Sequence, residues 1–200
     1  ATGCYMFAAF TAEETGVLGS SRFVDLLRKK NIRPKAMLNM DMVGRLSNNS
    51  LTVFGAATAS EWKKIVKKNC DRFGLNCAAD GDGYGPSDQM PFYIARVPVL
   101  HFFTGAHSDY HRASDTFDKL NPVGGVQIAQ LVSTIAMEAA DRTTALTYTK
   151  LAGKNTMAAI KSRGGAAGFG AYLGTIPNYT QMNSGEMPQI KTPGGARPVE

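Results

Sequence analysis

Hydrophobic and polar positions fall along the chain in blocks that switch between two periods. The run "CYMFAAF" (residues 4–10) is unbroken apolar sequence and predicts a buried strand. Two acids, Glu13 and Glu14, and Gly16 follow it. In "VLGSSRFVDLLRKK" the apolar residues Val17, Phe23, Val24 and Leu27 recur at helical spacing, and the closing Arg-Lys-Lys suits a helix C-terminus. "KAMLNMDMVG" reads as a second strand with Asp41 at its end, and "SLTVFGA" as a third. "TASEWKKIVKKNCDRF" reads as a helix capped by Thr58 or Ser60, with Trp62, Ile65 and Val66 on its apolar side. "LNCAAD" is a short strand, the Gly-rich "GDGYGPSD" a loop, "QMPFYIAR" a short helix or turn, and "VPVLHFF" a strand. A long polar loop, "TGAHSDYHRASDTFDKLNP", precedes a long amphipathic helix in which Val126, Ala129, Val132 and Ala136 line one face.

Strands alternating with helices predict an α/β layer structure with a largely parallel sheet. Sites in such sheets form beyond the carboxyl ends of the strands. The notable polar residues fall there: Glu13 and Glu14 after the first strand, Asp41 after the second, and His107 to His111 after the last. Near residue 150 the composition changes to Gly, Pro, Ser and Asn, too poor in apolar residues to build a core alone. Residues 149–200 therefore read as a linker and the start of a second module, and residues 1–148 as the principal domain.

Composition narrows the picture little. The 200 residues are 44% hydrophobic and 19% charged, as in ordinary globular proteins. No run reads as a membrane span or as a signal peptide. The net charge of +6 comes largely from lysines on two helices, which read as solvated faces, and no basic motif interleaved with aromatics predicts nucleic-acid binding. Cys70 and Cys77 are within reach of each other if the chain turns at Gly74. A bridge and a pair of reduced thiols both remain open, and a bridge would fit an oxidising compartment. Cys4 reads as core.

The candidate chemistry lies in the acids and histidines. Neighbouring side chains such as Glu13 and Glu14 point apart, so they rarely chelate one ion from the same direction. They can divide the labour, one binding a cation and the other holding a water, and a cation cancels their repulsion. Acids in a first helical turn are the plain alternative. Strand alternation puts Met37, Asn39 and Asp41 on one side, where an Asp is costly to bury unless paired or metal-bound. His107 and His111 are four apart but lack a helical zinc pattern. Asp115 reads as a helix cap or a histidine's hydrogen-bond partner.

Taken in order, "FAAFTAEETGVLGSSRFV", "MLNMDMVGR", "SDQMPFY" and "VPVLHFFTGAHSDYHRASDTFDKLN" resemble the successive blocks of the family twenty-eight metallopeptidases, zinc aminopeptidases and relatives with two co-catalytic metal ions. The resemblance runs from about residue 5 to about residue 145. It implies a zinc exopeptidase-like, three-layer α/β/α fold with a mostly parallel mixed sheet, incomplete at its N-terminus. It implies Glu13 as the general base, Glu14 and His111 as ligands of one zinc, and Asp41 as a ligand of the other. His101 and His107 match no ligand position. The substrates implied are peptide or protein N-termini, with a metal pair about 3.5–4 Å apart acting on the scissile carbonyl and a shared water. The tail is similar to the start of a PDZ-like domain.

Two departures stand out. Gln89 replaces a histidine that is not a ligand. The upstream His and bridging Asp that complete a site for two zinc ions are absent, so the expectation is the C-terminal part of a peptidase domain, inactive alone. Two alternatives are a non-catalytic binding or dimerisation module and a glutaminyl-cyclase-like acyltransferase with a single zinc. Export fits the family better than a cytoplasmic location. Oligomeric state is not legible in the sequence.

Overall fold

The computed structural model describes residues 4–150. The expected linker and second module, apart from residues 149 and 150, lie outside the described residues.

A four-stranded sheet forms the middle layer. Its strands are β1 (Met37–Met40), β2 (Ser50–Phe54), β3 (Asn76–Asp80) and β4 (Val99–Phe103), in the spatial order β1-β4-β2-β3. β1 pairs parallel to β4, with Asn39 opposite His101, and β2 pairs parallel to β3. β2 runs antiparallel to β4, with Phe54 opposite His101. The sheet is therefore mixed, with two parallel pairings and one antiparallel pairing. All five residues of β4 are buried, as expected for a central strand covered on both faces.

Helices α1 (Leu18–Lys29), α2 (Trp62–Arg72), α3 (Gln89–Ile94) and α4 (Pro122–Asp141) make the outer layers. Two separate cores define the two faces. On one, Trp62, Ile65 and Val66 of α2 and Ile128, Leu131 and Ile135 of α4 pack on Leu51, Val53, Leu100 and Phe102. On the other, Val24 and Leu27 of α1 meet Phe92 and Tyr93 of α3 over Val99. The lysines of α2 stay in solvent, where Lys63, Lys67 and Lys68 pair with Asp80, Asp71 and Glu138.

Several expectations need correction. Residues 4–10 form no strand: Tyr5, Met6 and Phe7 are exposed, and so is Cys4. An apolar run reports a tendency to bury, but a strand needs a hydrogen-bonding neighbour, and this run has none among the described residues. Only its last residue is anchored, Phe10, whose ring sits 5.6 Å from Phe23 and 6.1 Å from Phe92. Neither Thr58 nor Ser60 caps α2, whose N-cap position is Glu61. The buried Thr58 hydroxyl instead ties Gly55 O (2.7 Å) to Val99 N (3.0 Å), joining the turn after β2 to the start of β4.

The buried face of α4 is Ile128, Leu131, Val132, Ile135 and Ala139, whereas Val126 and Ala129 face out. By length and composition alone α4 could cross a membrane. Here Ile128, Leu131, Val132, Ile135 and Ala139 pack in the core with α2 and the sheet. Cys70 and Cys77 form a disulfide that joins the end of α2 to β3.

Candidate functional site

The site lies where the chain leaves β1 and β4 and where it enters α1. Its three segments share an unusual backbone. Ala12 (φ 57°) and Val17 (φ 51°) bracket the Glu pair, Met42 (φ 52°) follows Asp41, and His111 itself has φ 54°. Left-handed backbone is costly for residues with a Cβ, most of all for a β-branched one such as Val17. A cost of this kind is retained only where surrounding bonds over-determine the conformation.

Those bonds are present. Glu13 O accepts from Gly16 N (2.9 Å) and Val17 N (2.8 Å), while Ala12 O accepts from Leu18 N (3.2 Å) and Thr11 O from Gly19 N (3.1 Å). Gly16, at φ 106°, supplies the reversal that feeds the turn into α1. The Glu pair therefore sits in a tight turn ahead of α1, not inside its first helical turn, which holds no acid.

Asp41 follows β1 directly. Its Oδ2 accepts from Ser87 Oγ at 2.9 Å. Ser87 Oγ in turn accepts from Asn39 Nδ2 at 2.9 Å, and the same amide nitrogen donates to Gln89 Oε1 at 3.1 Å. Asn39, Ser87 and Gln89 are all buried. One carboxylate oxygen of Asp41 is thus held by a buried polar chain. This places Asn39 and Asp41 on one side, as strand alternation predicts. It also gives Gln89 a structural role, since its carbonyl accepts the second hydrogen of the Asn39 amide.

His111 comes from the loop after β4. Its Nε2 lies 2.7 Å from Glu14 Oε1, across 97 residues of sequence. Its ring stacks on Tyr110 with centroids 3.8 Å apart. Both partners of the Glu14–His111 pair are largely exposed.

Electrostatics tie Glu13 and Asp41 to this pair. Burial pushes the Glu13 carboxyl up to about 7, the negative charges of Glu14, Asp41 and Asp88 push in the same direction, and His111 pulls against them. Asp88 is likewise raised, first by its own burial and then by Asp41 against a hydrogen bond from Ser20. Four carboxylates and one imidazole therefore share one field with a surplus of negative charge. A carboxylate oxygen beside an imidazole nitrogen is a donor pair that zinc accepts, and a cation there would relieve the repulsion. In chemistry the residues fit such an ion. In number they fall short of a closed site: among the described residues, no group of three or more His, Cys, Asp or Glu is arranged to hold a metal.

The other histidines play no part in this pair. His101 is buried in β4 between the rings of Phe54 (5.7 Å) and Phe103 (6.0 Å), and burial lowers its pKa, so it is neutral. Asp115 neither caps a helix nor bonds a histidine; its Oδ1 accepts from Arg45 Nη2 at 2.5 Å. Arg45, Ser87 and Asp88 escaped the sequence reading. Ser87 and Asp88 lie in the quoted block "SDQMPFY", but only the fold brings them to Asp41.

Comparison with known proteins gives a consistent set of likenesses. A sequence model described as Peptidase family M28 matches residues 5–136. Aminopeptidase YwaD of Bacillus subtilis is 28% identical over 144 residues, covering 66% of this chain and 31% of its own length. Among solved structures, Legionella pneumophila LapA aminopeptidase superimposes with a TM-score of 0.60 at 25% identity, covering 68% of this chain and 38% of that one. BSAP, a zinc aminopeptidase from Bacillus subtilis, gives 0.56 at 28% identity, covering 68% and 36%. The chain spans about a third of the length of these relatives.

Proposed function

The chain belongs to peptidase family M28, and we propose that the protein carrying it is a zinc aminopeptidase that releases residues from peptide N-termini. The observation that supports this most directly is the meeting of Glu14 and His111 at 2.7 Å, with Glu13 and Asp41 in the same electrostatic field. No folding requirement explains that convergence. An exposed pair of this kind stabilises a fold by at most about 1 kcal/mol, and the carboxylates around it repel one another.

In this reading Glu14 and His111 would hold one zinc ion and Asp41 would be a ligand of a second, while Ser87 orients the Asp41 carboxylate. Two ions per site complete the reading, with further ligands supplied from outside this chain. When bound, zinc polarises the scissile carbonyl and acidifies water. Glu13 accepts a proton from the water whose oxygen attacks the carbonyl carbon. As the C–N bond breaks, the Glu13 carboxyl returns that proton to the leaving amine nitrogen. The turn at residues 12–17 fixes the Glu13 carboxylate one residue from a ligand. The turn thereby fixes where the Glu13 side chain starts, next to a residue that would hold the ion.

We also propose an exported protein, a reading supported by the Cys70–Cys77 bridge, since disulfides persist in oxidising compartments. The compositional change near residue 150 supports a separate module from residue 149 onward.

The functional test is hydrolysis of an aminoacyl-nitroanilide by the full-length protein before and after chelation. The reading expects release that chelator abolishes and zinc restores. Release unaffected by metal removal, or none from any aminoacyl substrate with zinc bound, would end it.

A further inference from the structure

The three segments of the site are held unequally. Asp41 extends from β1, and Glu14 sits in a turn closed by four backbone bonds ahead of α1. His111 lies between β4 and α4 in a stretch, residues 104–116, with neither helix nor strand, and its own backbone is left-handed. Its imidazole contacts are an exposed carboxylate and a stacked tyrosine ring, which are weak restraints. Something else must fix its position.

Two aspartates flank His111, Asp109 and Asp115, and both accept from Arg45 Nη2, at 3.4 Å and 2.5 Å. Lys119 Nζ adds a second cation on Asp109 Oδ1 at 2.6 Å. The Arg45 and Asp109 side chains are only 18% and 16% exposed, so their attraction is screened far less than that of a surface pair. Arg45 belongs to the segment that leaves β1 immediately after Asp41. Backbone bonds stitch the same two regions together: Thr104 N donates to Met42 O (3.2 Å) and Asn121 N to Gly44 O (2.8 Å). Asn121 also caps α4, accepting from Gly124 N. These bonds secure the two ends of the His111 loop, and from the exit of β1 Arg45 reaches its middle.

We propose that Arg45 is a positioning residue, which clamps the aspartates on either side of His111 to the exit of β1 and so sets the separation between the Glu14–His111 pair and Asp41. This rests on the reading of those residues as zinc ligands. The guanidinium suits this role because the two N–H bonds of its Nη2 lie in one fixed plane and can serve two acceptors in set directions, whereas the donors of an ammonium rotate freely.

The test measures zinc affinity of the full-length protein by chelator competition, with thermal melting alongside. Arg45→Lys keeps the charge and loses the planar donor pair of Nη2; we expect zinc affinity to fall about tenfold, in the range seen for residues that orient ligands. Asp115→Asn removes one arm and keeps the cation, so it provides the answer if the arginine variant folds poorly; it should fall in the same direction. The triple variant Arg45→Met, Asp109→Asn, Asp115→Asn removes the repulsion between the acids together with their clamp. It should bind zinc as weakly as Arg45→Lys or more weakly. A merely stabilising role for Arg45 would instead let it recover.

His111→Ala runs in parallel. If it loses zinc while Arg45→Lys and Asp115→Asn stay within about twofold of the parent, a smaller effect than ligand-orienting residues show, the clamp is refuted and the ligand reading stands. If His111→Ala keeps parental affinity, the ligand reading fails and takes this proposal with it.

Discussion

Replacing Gly19 by alanine sets two effects against each other, and the structure decides which wins. Gly19 is the second residue of α1. On propensity alone alanine is favoured over glycine in a helix by up to about 1 kcal/mol. A methyl at this position, however, would lie 2.5 Å from Thr11 O and 2.8 Å from Thr11 N, where ordinary contact starts at 3.4 Å. Both atoms are backbone, so no side chain can rotate out of the way. Relief requires the turn at residues 11–17 to move by roughly 1 Å, and forced overpacking of this kind costs about 1–3 kcal/mol. The propensity gain is small at a helix end, so the net expectation is a loss of about 1–2 kcal/mol, a fall in melting temperature of about 5 °C for a unit of this size. The same movement displaces Glu13 and Glu14 from His111. A displacement of about 1 Å can cost ~100-fold in turnover, so activity of the full-length protein should fall much further than its stability. Calorimetry and aminoacyl-nitroanilide kinetics on the parent and Gly19→Ala would show this. A variant that melts higher than the parent with unchanged turnover would refute the close approach, and with it the account of why the Glu pair is held rigidly.

Replacing Cys70 and Cys77 by serine opens the loop that the bridge closes over a separation of 7 residues; chain-entropy arguments put the loss near 2–3 kcal/mol, readable as a lower denaturant midpoint, and reductant acting on the parent should reproduce it. Asp82 is raised above the usual carboxylate range by its burial, against a hydrogen bond from Tyr84 N. A raised acid destabilises the fold above its folded pKa and ceases to do so as pH falls below its unfolded value. Asp82→Asn keeps the acceptor for Tyr84 and removes the charge, so it should melt higher than the parent at neutral pH and match it by about pH 3; equal melting at both pH values would contradict the burial argument.

Much of the fold was legible because local signals agreed. In α2, Trp62, Ile65 and Val66 at helical spacing predicted the buried side, and the lysines around them the solvated one. The four observed strands lie inside the apolar runs that predicted them. The reading failed where local pattern is silent about partners. The run at residues 4–10 is as apolar as β4, yet β4 has a strand on each side and the run has none among the described residues. In α4 the apolar residues are so plentiful that periodicity alone does not choose the buried face: Val126 and Val132 share a face in the sequence reading, yet Val132 is buried and Val126 is 58% exposed. At the site, order and context pointed to Glu13, Glu14, Asp41 and His111. The polar side chains bonded around them did not show. Ser87, Gln89 and Arg45 meet their partners through long-range bonds, and one sequence carries no record of which distant residue a polar side chain meets. The Cys70–Cys77 bridge was open for the same reason.

The central claim is that Glu13 moves the proton while its neighbour Glu14 holds the metal. Glu13→Gln in the full-length protein tests it most directly, because the amide preserves the shape of the side chain and removes the base. Zinc content and aminoacyl-nitroanilide turnover should be measured on the same preparation. The account predicts unchanged zinc and a loss of turnover of about 10²–10⁴-fold, the usual worth of a positioned general base. Parental turnover with zinc still bound would contradict it.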